Sequence, residues 1–161
     1  MKPTLITAIV LATLSTGAVA GVKEKKAMRA ADAKVAEQIV TTKQACGNTQ
    51  LDVTIDWEKF NVMIAENETT LKEKRYQEQW VLSHAGDRTA SVIEALGKIC
   101  NSDADYKEEL AKLTKVVVQP LPKFSDYRSS FKLDGTTIQV ASGHYMTRNA
   151  DDYTKPIKAL F

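Results

Sequence analysis

The strongest constraint on this chain is a pair of cysteines, Cys46 and Cys100, that follow an N-terminal segment reading as an export signal. The segment is MKPTLITAIVLATLSTGAVA. Lys2 supplies a short positive start, and Leu5 to Leu14 form an apolar run too short to span a bilayer. Ala18-Val19-Ala20 places small residues where a signal peptidase reads them. Residues 1–20 are therefore expected to be a signal peptide cleaved before Gly21, and the short positive region suits a bacterial periplasmic or secreted protein. No cysteine follows the apolar run, so neither a lipid attachment nor a stable membrane anchor is expected after cleavage. In an oxidising compartment two cysteines pair. A Cys46–Cys100 bridge would close a loop of about 55 residues and contribute roughly 4 kcal/mol by the chain-entropy account.

Taking 20 residues from 161 leaves 141, the size of one ordinary domain (residues 21–161). Its charges nearly cancel, because 22 Lys and Arg, less Lys2, face 20 Asp and Glu. No field of one sign is implied, and nucleic acid is not an expected partner. Two Cys and two His without CxxC or HxxxH spacing predict no metal site, and no cofactor motif is present. Asn101-x-Asp103-x-Asp105 opens like a calcium loop, but Tyr106 and Lys112 stand where Gly and an acid are needed. In a eukaryotic host, Asn67-Glu68-Thr69 would be a glycosylation acceptor.

Periodicity divides the chain into elements. Residues 21–45 are rich in helix formers, with Met28, Ala31, Val35 and Ile39 as a narrow stripe and Gly47 as a stop. This helix either packs on the domain or projects as a partly mobile arm beginning with Lys23, Lys25 and Lys26. Leu51, Val53, Ile55 and Trp57 alternate with polar residues, which predicts a strand with Asp52, Thr54 and Asp56 outside. A helical region covers 69–100, and Gly86-Asp87 could kink or split it. Ser102-x-x-Asp105 resembles a capping box opening a short helix to Leu113. Val116 to Val118 reads as a strand ended by Pro120 and Pro122. Arg128 to Ala141 reads as a hairpin turning at Asp134-Gly135, with Leu133 opposite Thr136, Phe131 opposite Ile138 and Ser129 opposite Val140. Ile157, Leu160 and Phe161 mark a C-terminal helix. The order predicts an α+β fold, with helices on one face of a small, mainly antiparallel sheet. The disulfide would then tie the start of the first strand to the end of the long helix.

One stretch, SGHYMTRNADDY (142–153), gathers catalytic residue types. Ser142, His144 and Asp151 could form a hydrolase triad only through a special turn, and no nucleophile elbow surrounds them. Residues 142–149 are better read as the connection into the last helix, with Asn149 as its N-cap and Asp151 and Asp152 in its first turn. His84 reads as a boundary residue. Trp57, Trp80, Tyr76 and Leu71 read as core. No catalytic constellation remains, so a non-enzymatic protein is expected that binds another envelope or secreted protein, as an inhibitor, immunity or accessory protein does. The alternative is a carrier of a small apolar ligand, held between sheet and helices near Trp57, Trp80 and Phe131.

Overall fold

The structure is a computed structural model that describes residues 20–146 and 148–161. Residues 1–19, nearly all of the expected signal peptide, lie outside the described residues. The order is α1 (Val22–Cys46), β1 (Asp52–Ile55), α2 (Trp57–Glu66), α3 (Glu68–Glu73), α4 (Glu78–Ser102), α5 (Ala104–Leu110), β2 (Lys115–Pro120), β3 (Ser130–Asp134), β4 (Thr137–Ser142) and α6 (Asp151–Lys158). The fold is α+β, with one disulfide between Cys46 and Cys100. No helix among the described residues is long and apolar enough to cross a membrane.

The sheet is mixed, which corrects the expectation of a mainly antiparallel one. Strand order is β1-β2-β4-β3, with β1–β2 and β2–β4 parallel and β3–β4 antiparallel. Parallel neighbours need a long crossover, and between β1 and β2 the helices α2 to α5 supply it. Val53, Val116, Ile138 and Leu133 form one inner row across the sheet. Ile55, Val118, Val140 and Phe131 form the next. Thr54, Val117, Gln139 and Lys132 alternate with them and lie on the opposite face.

The hairpin register differs from the expected one by two residues. Leu133 pairs with Ile138 and Phe131 with Val140, leaving Gly135 and Thr136 as the loop. A shift of two keeps every side chain on its face, so the inner set is unchanged. Gly135 has φ +57° and Thr136 does not enter that region. That is the φ pattern of a turn needing glycine at its first central place, not its second.

Three further boundaries move. The first strand stops at Ile55, because Asp56 accepts from the Lys59 amide (3.0 Å) and caps α2. Trp57 therefore opens a helix. It is half-buried, with its ring 5.7 Å from Phe60 and its indole N–H donating to Asp32 (2.9 Å). The capping residue of α5 is Asp103, not Ser102, and accepts from the Tyr106 amide. At α6, the Asn149 amide donates to the Asp152 carboxylate, while Ala150 occupies the N-cap.

Helix α4 is not split at Gly86; it runs unbroken from Glu78 to Ser102. Gly86 serves a different purpose. A Cβ there would lie 2.3 Å from the Ala31 Cβ. Ala31 meets Gly86, Thr42 meets Gly97 and Cys46 bonds Cys100, so positions rise together and the two helices run parallel. Small residues bring their backbones close enough for the Thr42 hydroxyl to donate to the Ile93 carbonyl (2.8 Å). Cys46 is the last residue of α1, so the bridge joins helix to helix and does not tie a strand to a helix. Ala31, Val35 and Thr42 are buried in this seam, which lays α1 along α4 as part of the domain.

Two asparagines brace the connections. Asn48 is buried; its amide donates to the carbonyls of Leu110 and Leu113, and its oxygen accepts from the Gln50 and Leu51 amides. All its capacity is used, which removes the cost of burying it. Asn67 donates to the Met63 and Pro122 carbonyls and accepts from the Phe124 amide. A glycan on that nitrogen would replace one of its two hydrogens and remove one of the two donated bonds.

Candidate functional site

The chain after β2 crosses beyond the end of β4 before entering β3. The loop at 121–129 therefore meets the segment leaving β4. Leu121 donates its amide to the Ser142 carbonyl (3.0 Å) and His144 to the Asp126 carbonyl (2.9 Å). Gly143 lets them touch, since a Cβ there would lie 2.3 Å from the Tyr127 carbonyl oxygen. The Gly143 amide donates to the Ser129 hydroxyl (2.9 Å). This junction lies at the carboxyl ends of the parallel strands β2 and β4, where open sheets commonly leave a crevice.

A third segment closes the crevice. Helix α3 ends with Arg75 at φ +55°, the Tyr76 amide donating to Leu71 and the Arg75 amide to Lys72. That is a Schellman stop with arginine in the place glycine normally takes. It turns Tyr76 back toward Phe124. The resulting cleft has a volume of about 250 Å³ and is lined by Lys74, Tyr76, Phe124, Tyr127, His144 and Tyr145, with Met146 at its edge.

Its walls are a connected aromatic cluster. Trp80 stands edge-on to Tyr76 (6.0 Å), Tyr76 lies 5.2 Å from Phe124, and Phe124 lies 5.4 Å from His144. Tyr127 and Tyr145 form a second pair at 5.3 Å. Lys74 sits 5.7 Å from the ring centres of both Phe124 and Tyr127 and donates to the Tyr127 hydroxyl (3.2 Å). Arg148 stacks 4.2 Å above Tyr145. Trp80, Tyr127, Tyr145 and Met146 are all exposed, so the cluster reaches the surface.

Behind the cleft lies Arg88. It is buried in mid-α4; Nε donates to the Ser142 hydroxyl (3.2 Å) and Nη1 to the Tyr145 carbonyl. Nη2 has no partner among the described residues. Burial pushes the guanidinium down to about 10, so it stays charged at neutral pH. Burial likewise raises the hydroxyls of Tyr76 and Tyr153, against the opposing pull of Arg88.

The two histidines belong to the same group. His84 Nδ1 lies 3.2 Å from the Tyr76 hydroxyl. His144 is buried, and its Nε2 donates to the Leu121 carbonyl (2.9 Å), which leaves Nδ1 bare and without a partner among the described residues. Burial lowers the proton affinity of both rings, and Arg88 adds to it. For His144 the Leu121 bond and Asp126 oppose the shift without reversing it. The unfolded chain, titrating near 6.5, thus takes up protons that the folded one refuses. Stability is expected to be level above about pH 6.5 and to fall as the pH drops below it. Urea midpoints between pH 7 and 5 check this: His144→Gln should lose less than the wild type, and identical declines would contradict it.

Residues 142–146, 148 and 149 form a connection, and His144, Tyr145 and Met146 also build a wall of the cleft. No Ser142–His144 hydrogen bond forms among the described residues. The Ser142 hydroxyl faces Arg88 and the Gly143 carbonyl, Asp151 pairs with Lys98 (2.9 Å), and Asp152 lies 3.8 Å from Arg148. The three expected pocket aromatics have separate ring neighbours: Trp57 meets Phe60, Trp80 meets Tyr76, and Phe131 meets Tyr153 edge-on at 5.7 Å. Of the residues expected in the core, Leu71 is buried, Trp57 and Tyr76 are half-buried, with Tyr76 in the cleft wall, and Trp80 is exposed. Among the described residues no cluster of His, Cys, Asp and Glu could hold a metal.

Arg88 escapes a reading for motifs, yet it carries a signal. It falls on the stripe Val81-Ala85-Arg88-Val92-Leu96-Ile99, so a charge stands on an otherwise apolar helix face. No protein-family model, no curated protein and no solved structure matches this chain.

Proposed function

We propose that this is an exported protein, directed out of the cytosol by residues 1–20, that acts without catalysis by binding another envelope or secreted protein. The docking site is the cleft between Tyr76, Phe124 and Tyr145. The observation that carries this reading is the continuous aromatic cluster from Trp80 to His144, with its exposed rim of Trp80, Tyr127, Tyr145 and Met146. Tyr, Trp, Met and Arg are the residue types that dominate the energetic centres of protein interfaces. The cleft volume of about 250 Å³ is below the range of pockets that bury a whole small ligand, and its rim is open. Such a cleft suits the anchoring side chain of a larger partner better than an enclosed apolar cargo.

Trp80→Ala with Tyr127→Ala tests the reading, because both side chains are exposed at the rim and neither belongs to the buried core. Tagged wild-type protein is expected to retain a stoichiometric partner from the exported fraction. The double variant should bind it at least about thirtyfold more weakly, the loss expected for an interface anchor worth about 2 kcal/mol. Equal retention by both would refute the assignment of this face.

A further inference from the structure

The charges around the cleft indicate what it selects; this inference rests on the docking reading above. Its lining includes Lys74 and no Asp or Glu. Arg148 stands over Tyr145 at the rim. Arg88 lies behind Ser142 and Tyr145, 3% exposed, with no carboxylate within salt-bridge distance among the described residues. Its neighbour Asp87 is engaged by Lys34 at 2.6 Å. The acids close by are Asp126, which acts on His144, and Asp152, 3.8 Å from Arg148. Cations are in excess, and the innermost is buried with a donor unused. A buried charge without a counter-ion is costly and is ordinarily compensated. One hydroxyl and one carbonyl, from Ser142 and Tyr145, compensate Arg88 in part, and an anion in the cleft would offset the rest of its charge through the wall that Tyr145 forms.

We propose that the cleft recognises an acidic peptide segment of the partner. An Asp or Glu carboxylate is drawn toward Lys74 and the wall backed by Arg88, while an adjacent apolar or aromatic side chain stacks on Tyr127 and Tyr145. Exposed aromatics with cations also suit an anionic membrane surface. The concavity favours a peptide, because a membrane is met by a protruding edge and an inserted side chain needs a cavity.

The test is selection of a random heptapeptide library on the purified full-length mature protein, with Trp80→Ala/Tyr127→Ala as the counter-selection. Retained sequences are expected to be enriched at least fivefold in Asp and Glu over the input, often beside an aromatic residue. Their binding should weaken at least fivefold in half-molar salt and in Lys74→Gln. Lys74 is exposed, so that variant remains informative where Arg88→Met fails to fold. Retained peptides without acidic enrichment would overturn the chemistry and leave the docking reading standing. Recovery of no peptide that depends on Trp80 and Tyr127 would overturn both. Co-sedimentation with phosphatidylglycerol vesicles that Lys74→Gln abolishes, without peptide binding, would reassign the occupant to a membrane.

Discussion

Replacing Cys46 and Cys100 by alanine is expected to lower stability by roughly 4 kcal/mol, the loop-closure value for this span. With the bonded positions 54 apart in sequence, the unfolded chain regains much of its freedom when the bridge is lost. The loss is a large fraction of the 5–15 kcal/mol that holds most domains together. The melting temperature should fall by roughly 8–16 °C. The fold should survive, because α1 remains laid along α4 through Ala31, Val35 and Thr42. Hydrogen exchange then becomes the informative measurement. Amides at the C-terminal end of α1 should open first in the variant, with the sheet protected as before. A melting temperature unchanged within error would show that the bridge restrains little.

Gly86→Ala should be the most damaging exchange of a glycine in α4. Alanine at this helix position gains about 1 kcal/mol of propensity over glycine. Against it, the new Cβ meets Ala31 at 2.3 Å to its Cβ and 2.9 Å to its Cα. Backbone cannot yield as a flexible side chain does, so the parallel seam must open. Overpacking of this kind costs about 3 kcal/mol, which leaves a net loss of about 2 kcal/mol; larger side chains should lose more. Gly97→Ala is the internal control. Its Cβ meets the Thr42 hydroxyl at 3.2 Å and Ala45 at 3.8 Å, so propensity and crowding roughly cancel. Urea unfolding of the two variants side by side should separate them by about 2 kcal/mol. Equal stabilities would mean that the two helices pack less tightly than the geometry indicates.

Where local pattern decides structure, the sequence is informative. Phe131, Leu133, Ile138 and Val140 share a face in either register, because period two survives a shift of two. The stripe of Val92, Leu96 and Ile99 lies buried as its spacing predicts. Cys46 and Cys100 had one possible pairing. Long-range choices are less legible. Nothing within Asp52 to Ile55 states that its partner is Lys115 to Val118 in parallel, since that follows from how the intervening helices return. Gly86 breaks an isolated helix pattern, but its tertiary use depends on Ala31, 55 positions away. The cleft was the least legible feature, as it is assembled from residues 74–80, 121–127 and 142–146. Each segment alone reads as a helix end, a proline-flanked loop or a strand exit.

The central claim is that the aromatic cleft is where a partner docks. A photo-crosslinking residue placed at Tyr127 in the mature protein tests it most directly, with Thr54 on the opposite, solvent-facing side of the sheet as the comparison site. Exposed to the exported protein fraction and illuminated, the Tyr127 position should form one dominant adduct with a second protein, and the Thr54 position should not. Adducts from Thr54 alone, or equal adducts from both, would contradict the account and move the interaction to another face.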